Sequence, residues 1–264
     1  MNMTTGRRGI VWKTPDITAD GLKMFACIVM LIQTVGIAVI EKGLIHLDQY
    51  TQESLNQAMS QDSRLMTLAG IGSIMQLIGG MAIPVFAFLL VEGFLHTRDV
   101  KKYLARMLTF AVVSEIPFDL AVFHTPFYWG YQNVFFTLFL GLLALAGESV
   151  VHQSSGMFAG AGLWKQAFVL ILCVGTAQLI NCDYGAFGVF FIILLYMTRY
   201  DKKTQTVLGA ISLIWELPGI LAFIPIRLYN GTRGRCGNRY FFYAFYPAHL
   251  LALWVAGRFI FKLF

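Results

Sequence analysis

The stretch LMTLAGIGSIMQLIGGMAIPVFAFLLVEGFL, from Leu65 to Leu95, runs for 31 residues with a single formal charge, Glu92. Crossing a hydrocarbon core takes roughly twenty apolar residues in a helix. Lipid offers no partner for an open backbone group, so such stretches are read as helices rather than isolated strands. About eight stretches of this kind fill most of the 264-residue chain. The fold class read from them is all-α, a polytopic transmembrane helix bundle. Its spans fall near 22–41, 73–96, 103–123, 133–147, 166–182, 185–199, 207–225 and 241–262. At 1.5 Å per residue the opening run extends about 46 Å, too long for one upright span. Leu65 to Gly72 is therefore read as an interfacial or buried lead-in, with a bend at Gly79, Gly80 and Pro84.

Composition agrees, with 57% hydrophobic and 13% charged residues, the latter about half the roughly 25% of a soluble domain. The polar stretches 1–20 and 41–64 are too short to bury a core of their own. Residues 1–264 are thus read as one integral membrane domain, with 1–20 a cytoplasmic N-terminal segment and 22–262 the bundle. The first apolar stretch, Leu22 to Ile40, outruns a signal-peptide core and meets Glu41 and Lys42 with no small-residue cleavage site, so it is expected to stay as a span. A net charge of +6 records loop topology in such a protein and does not argue for nucleic acid. The four cysteines lack metal-like spacing, and no P-loop, dinucleotide fingerprint, HExxH or GxSxG occurs. No metal is expected.

Orientation follows from lysine and arginine. With the N-terminus inside, the inner segments hold Arg7, Arg8, Lys13 and Lys23, then Arg98, Lys101, Lys102 and Arg106, then Lys165, then Arg199, Lys202 and Lys203, and last Arg258 and Lys262. The outer loop 226–239 breaks the rule with Arg227, Arg233, Arg235 and Arg239. Either the span count is off by one after residue 65, or those arginines sit outside to bind an anionic group. The same topology puts Cys182 and Cys236 on the outer side, where a disulfide can form.

Ionisable residues within spans carry the most information, because each is costly in lipid and is retained where it meets a partner or a wet cavity. Glu115, Glu216 and His249 lie deep in their stretches, and Glu92 and Asp119 lie nearer the ends. Glu92 and His96 share a helix face beside Arg98, Lys101 and Lys102. That cluster suits phosphates or a proton relay, or is simply a capped and snorkelled helix end. Glu115 and Asp119 flank Pro117 in SEIPFD, where a freed carbonyl and two carboxyls suggest a polar cavity or an interhelical hydrogen-bonded pair. His249, in FYPAHL, has the chemistry of a general base, and equally that of a packing histidine bonded to a tyrosine or a carbonyl.

Between residues 83 and 123 the chain reads IPVFAFLLVEGFLHTRDVKKYLARMLTFAVVSEIPFDLAVF. NVFFTLFLGLLAL follows from Asn133, DYGAFGV from Asp183, and YNGTRG from Tyr229 leading to YFFYAFYPAHLL from Tyr240. In order and spacing these segments resemble the TraX family of conjugation-associated bacterial membrane proteins, over most of residues 22–255. The resemblance implies a bacterial cytoplasmic-membrane acetyltransferase that draws acetyl groups from cytoplasmic acetyl-CoA, as the family's namesake acetylates the N-terminus of a pilin. On an acyltransferase reading, the cytoplasmic Arg98, Lys101, Lys102 and Arg106 would hold the coenzyme A phosphates as charge-assisted contacts, and His249, Glu115 and Glu216 would be the catalytic residues lining the transfer cavity. Gln33, Thr34, Glu92, His96, Asp119, Asn133, Asp183 and Tyr246 would complete the substrate cavity.

The chain departs from the family pattern twice. Gln33 and Thr34 stand where members carry an Asp-His pair, and Gly80 stands where they carry an arginine. An Asp-His pair is what nucleophile activation needs, and neither Gln33 nor Thr34 takes a proton near neutral pH. Three readings follow. The first is an acyltransferase whose acceptor is a pilin-like protein or a small amine or hydroxyl compound. The second is a non-catalytic membrane component of a conjugation or envelope assembly, and the third a proton-coupled small-molecule carrier.

Overall fold

A computed structural model describes residues 16–154, 159–214, 216–234 and 239–261, and every structured element among them is helical. Helix α1 (Ala19–Val35) continues as a π-helical segment, Gly36–Ile45. A short amphipathic α2 (Gln52–Gln61) and α3 (Ser63–Gly79) follow, and then α4 (Ala82–His96). The long α5 (Val100–Phe123), α6 (Val134–Ser154), α7 (Ala159–Leu179) and α8 (Gly185–Met197) come next. Three pieces, α9 (Lys202–Ser212), α10 (Leu217–Ile220) and α11 (Phe223–Arg227), precede α12 (Arg239–Val255), which ends in a second π-helical segment, Ala256–Phe261.

Local chemistry sets these boundaries. Thr18, Asp99 and Asp201 sit in extended conformation before α1, α5 and α9, and each accepts a hydrogen bond from a first-turn N–H, the ordinary N-cap arrangement. The run from Ser63 to His96 is helical over 34 residues, interrupted only at Gly80 and Met81. The lead-in at Leu65 to Gly72 is thus part of α3 itself. Pro84 does not make the bend: it lies in the first turn of α4, where a missing N–H costs nothing.

The core is apolar and so is much of the outer surface. Leu142, Leu145, Phe191, Ile192 and Leu195 of α6 and α8 are fully buried. On the periphery α7 exposes Phe168, Ile171, Leu172 and Leu179, and α5 exposes Val112, Val113 and Ile116. Contiguous exposed apolar surface on this scale marks a face that meets something other than water, here lipid. Ala19–Ile45 and Ser63–His96 are each long and apolar enough to cross a membrane.

The segment expected to span at 207–225 does not cross the bundle. Gln205 Nε2 donates to the Leu195 carbonyl at 2.8 Å, so α9 starts beside the end of α8. The chain breaks between α9 and α10 and again at Leu221 and Ala222, and Phe223 returns against Gly209, where a Cβ would collide with its ring. The connection after α11 ties back to the start of α1: Ile17 N–H donates to Leu228 O (2.9 Å), Asn230 N–H to Ile17 O (3.0 Å) and Ala19 N–H to Thr232 O (2.8 Å). Arg227 and Arg233 therefore lie at the same end of the bundle as Lys23, which resolves the anomaly of the loop in favour of a miscounted span. Helix α12 runs the other way from the direction expected, and Arg258 falls at the opposite end. Cys27, Cys173 and Cys182 are free and buried. Cys236, and with it the expected bridge to Cys182, lies outside the described residues, as do Arg7, Arg8, Lys13, Arg235 and Lys262.

Candidate functional site

Two cavities lie inside the bundle. The larger, of about 530 Å³, opens at the end that carries Lys23, Glu92, His96, Arg106, Tyr229 and Arg233. The smaller, of about 380 Å³, is lined deeper by Gln33, Thr34, Tyr131, Asp183, Tyr184 and Tyr246. Met30, Phe86, Val134 and Tyr246 line both, so the two spaces adjoin at these side chains. Lys23 and Thr34 are eleven residues apart on α1, about 16 Å along its axis.

The outer cavity gathers cations around tyrosines. Lys23 Nζ is 3.0 Å from Asp20 Oδ1 and 5.1 Å above the Phe242 ring. The Arg106 guanidinium lies over Tyr103 at 5.7 Å, and its buried Nε has no hydrogen-bond partner. Glu92 is hydrogen-bonded by the Tyr229 hydroxyl. His96 holds the rim, with Nδ1 2.8 Å from the Glu92 carbonyl. Of the four expected phosphate contacts only Arg106 lines this space. Arg98, Lys101 and Lys102 are exposed, and Lys102 pairs with the cap Asp99 at 3.2 Å. Lys23, read from sequence as a topology signal, and Arg233, read either as the mark of a miscounted span or as an anion-binding arginine, line it instead.

Gln33, Thr34, Asp183 and Tyr246 all line the inner cavity. Tyr131 donates to Asp183 Oδ1 at 2.8 Å, and the Tyr184 and Gln33 side chains are hydrogen-bonded. Tyr184 caps α8 with φ of 62°, a left-handed conformation that a tyrosine rarely adopts. Strain of this kind collects at functional sites.

The three expected catalytic residues are separated. His249 is buried behind the inner cavity and reaches it through Thr34: its Nε2 is 3.1 Å from Thr34 Oγ1, and its Nδ1 2.9 Å from the Phe245 carbonyl. Glu115 lines neither cavity. Its Oε2 accepts from both the backbone and the side-chain amide of Asn133, whose Nδ2 also donates to Ala111 O and whose Oδ1 caps α6 through Phe135 N–H. Glu216 sits at the tip of the α9–α11 hairpin, with Oε1 3.1 Å from where a Gly80 Cβ would be and Oε2 buried without a partner. Asp119 is buried and accepts the Tyr128 N–H at 2.8 Å. Glu115, Asp119 and Asn133 thus join α5 to its following loop and α6 rather than facing substrate space. Among the described residues no group of His, Cys, Asp and Glu could hold a metal ion.

A family profile described as TraX protein matches residues 18–256. The chain is 30% identical over 236 residues to the probable fimbrial assembly protein FimC, serogroup H1, of Dichelobacter nodosus, covering 77% of this chain and 92% of that protein. No solved structure matches.

Proposed function

The chain belongs to the TraX family, and from that premise we propose that it is a membrane-embedded acyltransferase moving an acetyl group from cytoplasmic acetyl-CoA to an amine or hydroxyl acceptor. The observation that supports this most is the pair of abutting cavities. A cation-lined mouth leads, past four shared side chains, to a buried hydroxyl–imidazole pair. Arg106, Lys23 and Arg233 would meet the donor's phosphates through charge-assisted hydrogen bonds, and the aromatic and apolar walls would take the pantetheine arm. An extended arm suits the helix length between Lys23 and Thr34.

In this reading the cation-rich end faces the cytoplasm by the positive-inside rule, and the N-terminus is inside. The spans are α1, α3 with α4, α5, α6, α7, α8 and α12, with α9–α11 as a re-entrant hairpin, in the bacterial cytoplasmic membrane. Non-helical backbone at that depth is tolerated where it is buried in protein. The relative's name places that protein in fimbrial assembly, so the acceptor class we favour is the N-terminal amine of a pilin-like protein.

Calorimetry on the purified protein in detergent tests the donor half directly. Acetyl-CoA should bind with an affinity that weakens as salt rises. Protein that takes up no acetyl-CoA at millimolar ligand would be a non-catalytic membrane component of an assembly instead.

A further inference from the structure

Thr34 is one helical turn beyond Met30 on α1, and it is a buried residue that lines the inner cavity. Its Oγ1 lies 2.5 Å from the Met30 carbonyl and 3.1 Å from His249 Nε2. On the other side of the imidazole, Nδ1 is 2.9 Å from the Phe245 carbonyl, which only accepts, so Nδ1 carries a proton. In neutral His249 the Nε2 lone pair then points at the hydroxyl. The threonine has one proton and two acceptors competing for it, Met30 O and Nε2. A nucleophile, a base within hydrogen-bond reach and a third group fixing the base's tautomer make up the arrangement of an activated hydroxyl. The imidazole is held in register by stacking on Phe245, with centroids 5.0 Å apart, and by an edge contact with Tyr246 at 5.6 Å.

We propose that Thr34 is a covalent acyl carrier, with His249 as its general base, so that transfer passes through a threonine ester. This rests on the acyltransferase reading above. Thr34 Oγ attacks the thioester carbonyl carbon while its proton moves to His249 Nε2. Collapse of the tetrahedral adduct breaks the carbon–sulfur bond, and the leaving thiolate takes the proton from Nε2. The acceptor amine then attacks the ester carbonyl and gives a proton to Nε2. As the carbon–oxygen bond breaks, Thr34 recovers that proton, and both residues return to their starting state. Burial of the pair keeps water from the ester between the two halves. A carrier residue also explains how a donor entering from one end and an acceptor from the other could share one acyl group without meeting.

The test is to mix the purified full-length protein in detergent with acetyl-CoA labelled in its acetyl group, omit any acceptor, quench in acid and map the label by mass spectrometry. One acetyl group should appear on the peptide holding Thr34 and should disappear when hydroxylamine is added. Thr34→Ser should keep the label. Thr34→Val, close in shape, and His249→Gln should lose it, while acetyl-CoA binding by calorimetry persists and size-exclusion profiles match wild type. Label on another residue, or a Thr34→Val protein labelled to the wild-type extent, overturns the carrier role and leaves the acyltransferase reading standing. A wild-type protein that binds no acetyl-CoA overturns both together.

Discussion

At the scale of single residues, the cations that matter for an anionic donor are those with a free side toward the cavity. Arg106 has a buried Nε with no partner, and Arg233 lines the same mouth, whereas Lys101 and Lys102 face away from it. Arg106→Gln or Arg233→Gln should each weaken acetyl-CoA binding about tenfold, the size of one charge-assisted contact. Replacing Arg98, Lys101 and Lys102 together should change it little, and titration calorimetry at two salt concentrations separates the cases. Asn133 shows the limit of reading polar residues from sequence. As the first residue of a segment shared with the family it reads as part of the substrate cavity, yet it is fully buried and its side chain bonds Glu115, Ala111 O and the start of α6. Asn133→Ala leaves the Glu115 carboxyl only the backbone N–H of residue 133 and uncaps α6, so it should cost about 2–3 kcal/mol and lower the thermal midpoint by roughly 5–10 °C. Thr34 was visible as a residue of the first apolar stretch standing, with Gln33, where the family pattern has an Asp-His pair. No local pattern links it to His249, which is 215 residues away.

At the scale of elements, hydropathy located most helices because a lipid-facing helix must be apolar along its length. It failed at 207–225, since a hairpin that leaves Val207, Ile211, Leu217, Leu221 and Ile224 exposed is as apolar as a span. The usable signal was punctuation: Gly209, Pro218, Gly219 and Pro225 fall within seventeen residues, too many breakers for one continuous helix. Glu216 at the hairpin tip lies against Gly80, which has right-handed dihedrals of φ −54° and ψ −18° that any residue can adopt. An arginine there, as in the family pattern, would meet the unpartnered Glu216 carboxyl. Gly80→Arg should therefore raise the thermal midpoint by a few degrees, an effect that Glu216→Gln should abolish. The base of the hairpin is pH-sensitive for a different reason. The Asp201 carboxyl is held below the usual carboxylate range by the Thr204 hydroxyl and the N–H groups of Lys203 and Thr204. Because its pKa is depressed on folding, its stabilisation is complete above the unfolded-chain value, roughly pH 4, and is lost as pH falls through the lowered one. Hydrogen exchange in the first turn of α9 should accelerate on acidification more in wild type than in Asp201→Asn, which keeps the cap without the titration.

At the scale of the whole molecule, moving one hairpin inverts everything after it. If 207–225 crossed the membrane, the connection 228–234 would be outside and α12 would end inside. With α9–α11 turning back, the hydrogen bonds between Ile17 and residues 228 and 230 place that connection beside the start of α1, and α12 ends at the far side. The charge distribution favours the second arrangement. Arg227 and Arg233 join Lys23, Arg98, Lys101, Lys102, Arg199, Lys202 and Lys203 at one end, and Lys42, Arg64 and Arg258 remain at the other, a sharper asymmetry than the eight-span reading produced. Cysteine labelling in intact cells decides between them. The native Cys27, Cys173 and Cys182 are buried, so a Cys236→Ser background should be silent to a membrane-impermeant maleimide. In it Thr232→Cys and Lys203→Cys should react only after the membrane is permeabilised, and Thr125→Cys and Arg258→Cys should react without permeabilisation. Thr232→Cys labelled in intact cells together with a protected Arg258→Cys would restore eight spans. It would also put Arg233 on the wrong side of the membrane for the cytoplasmic donor proposed above, so the arrangement of the hairpin and the proposed direction of acyl transfer stand or fall together.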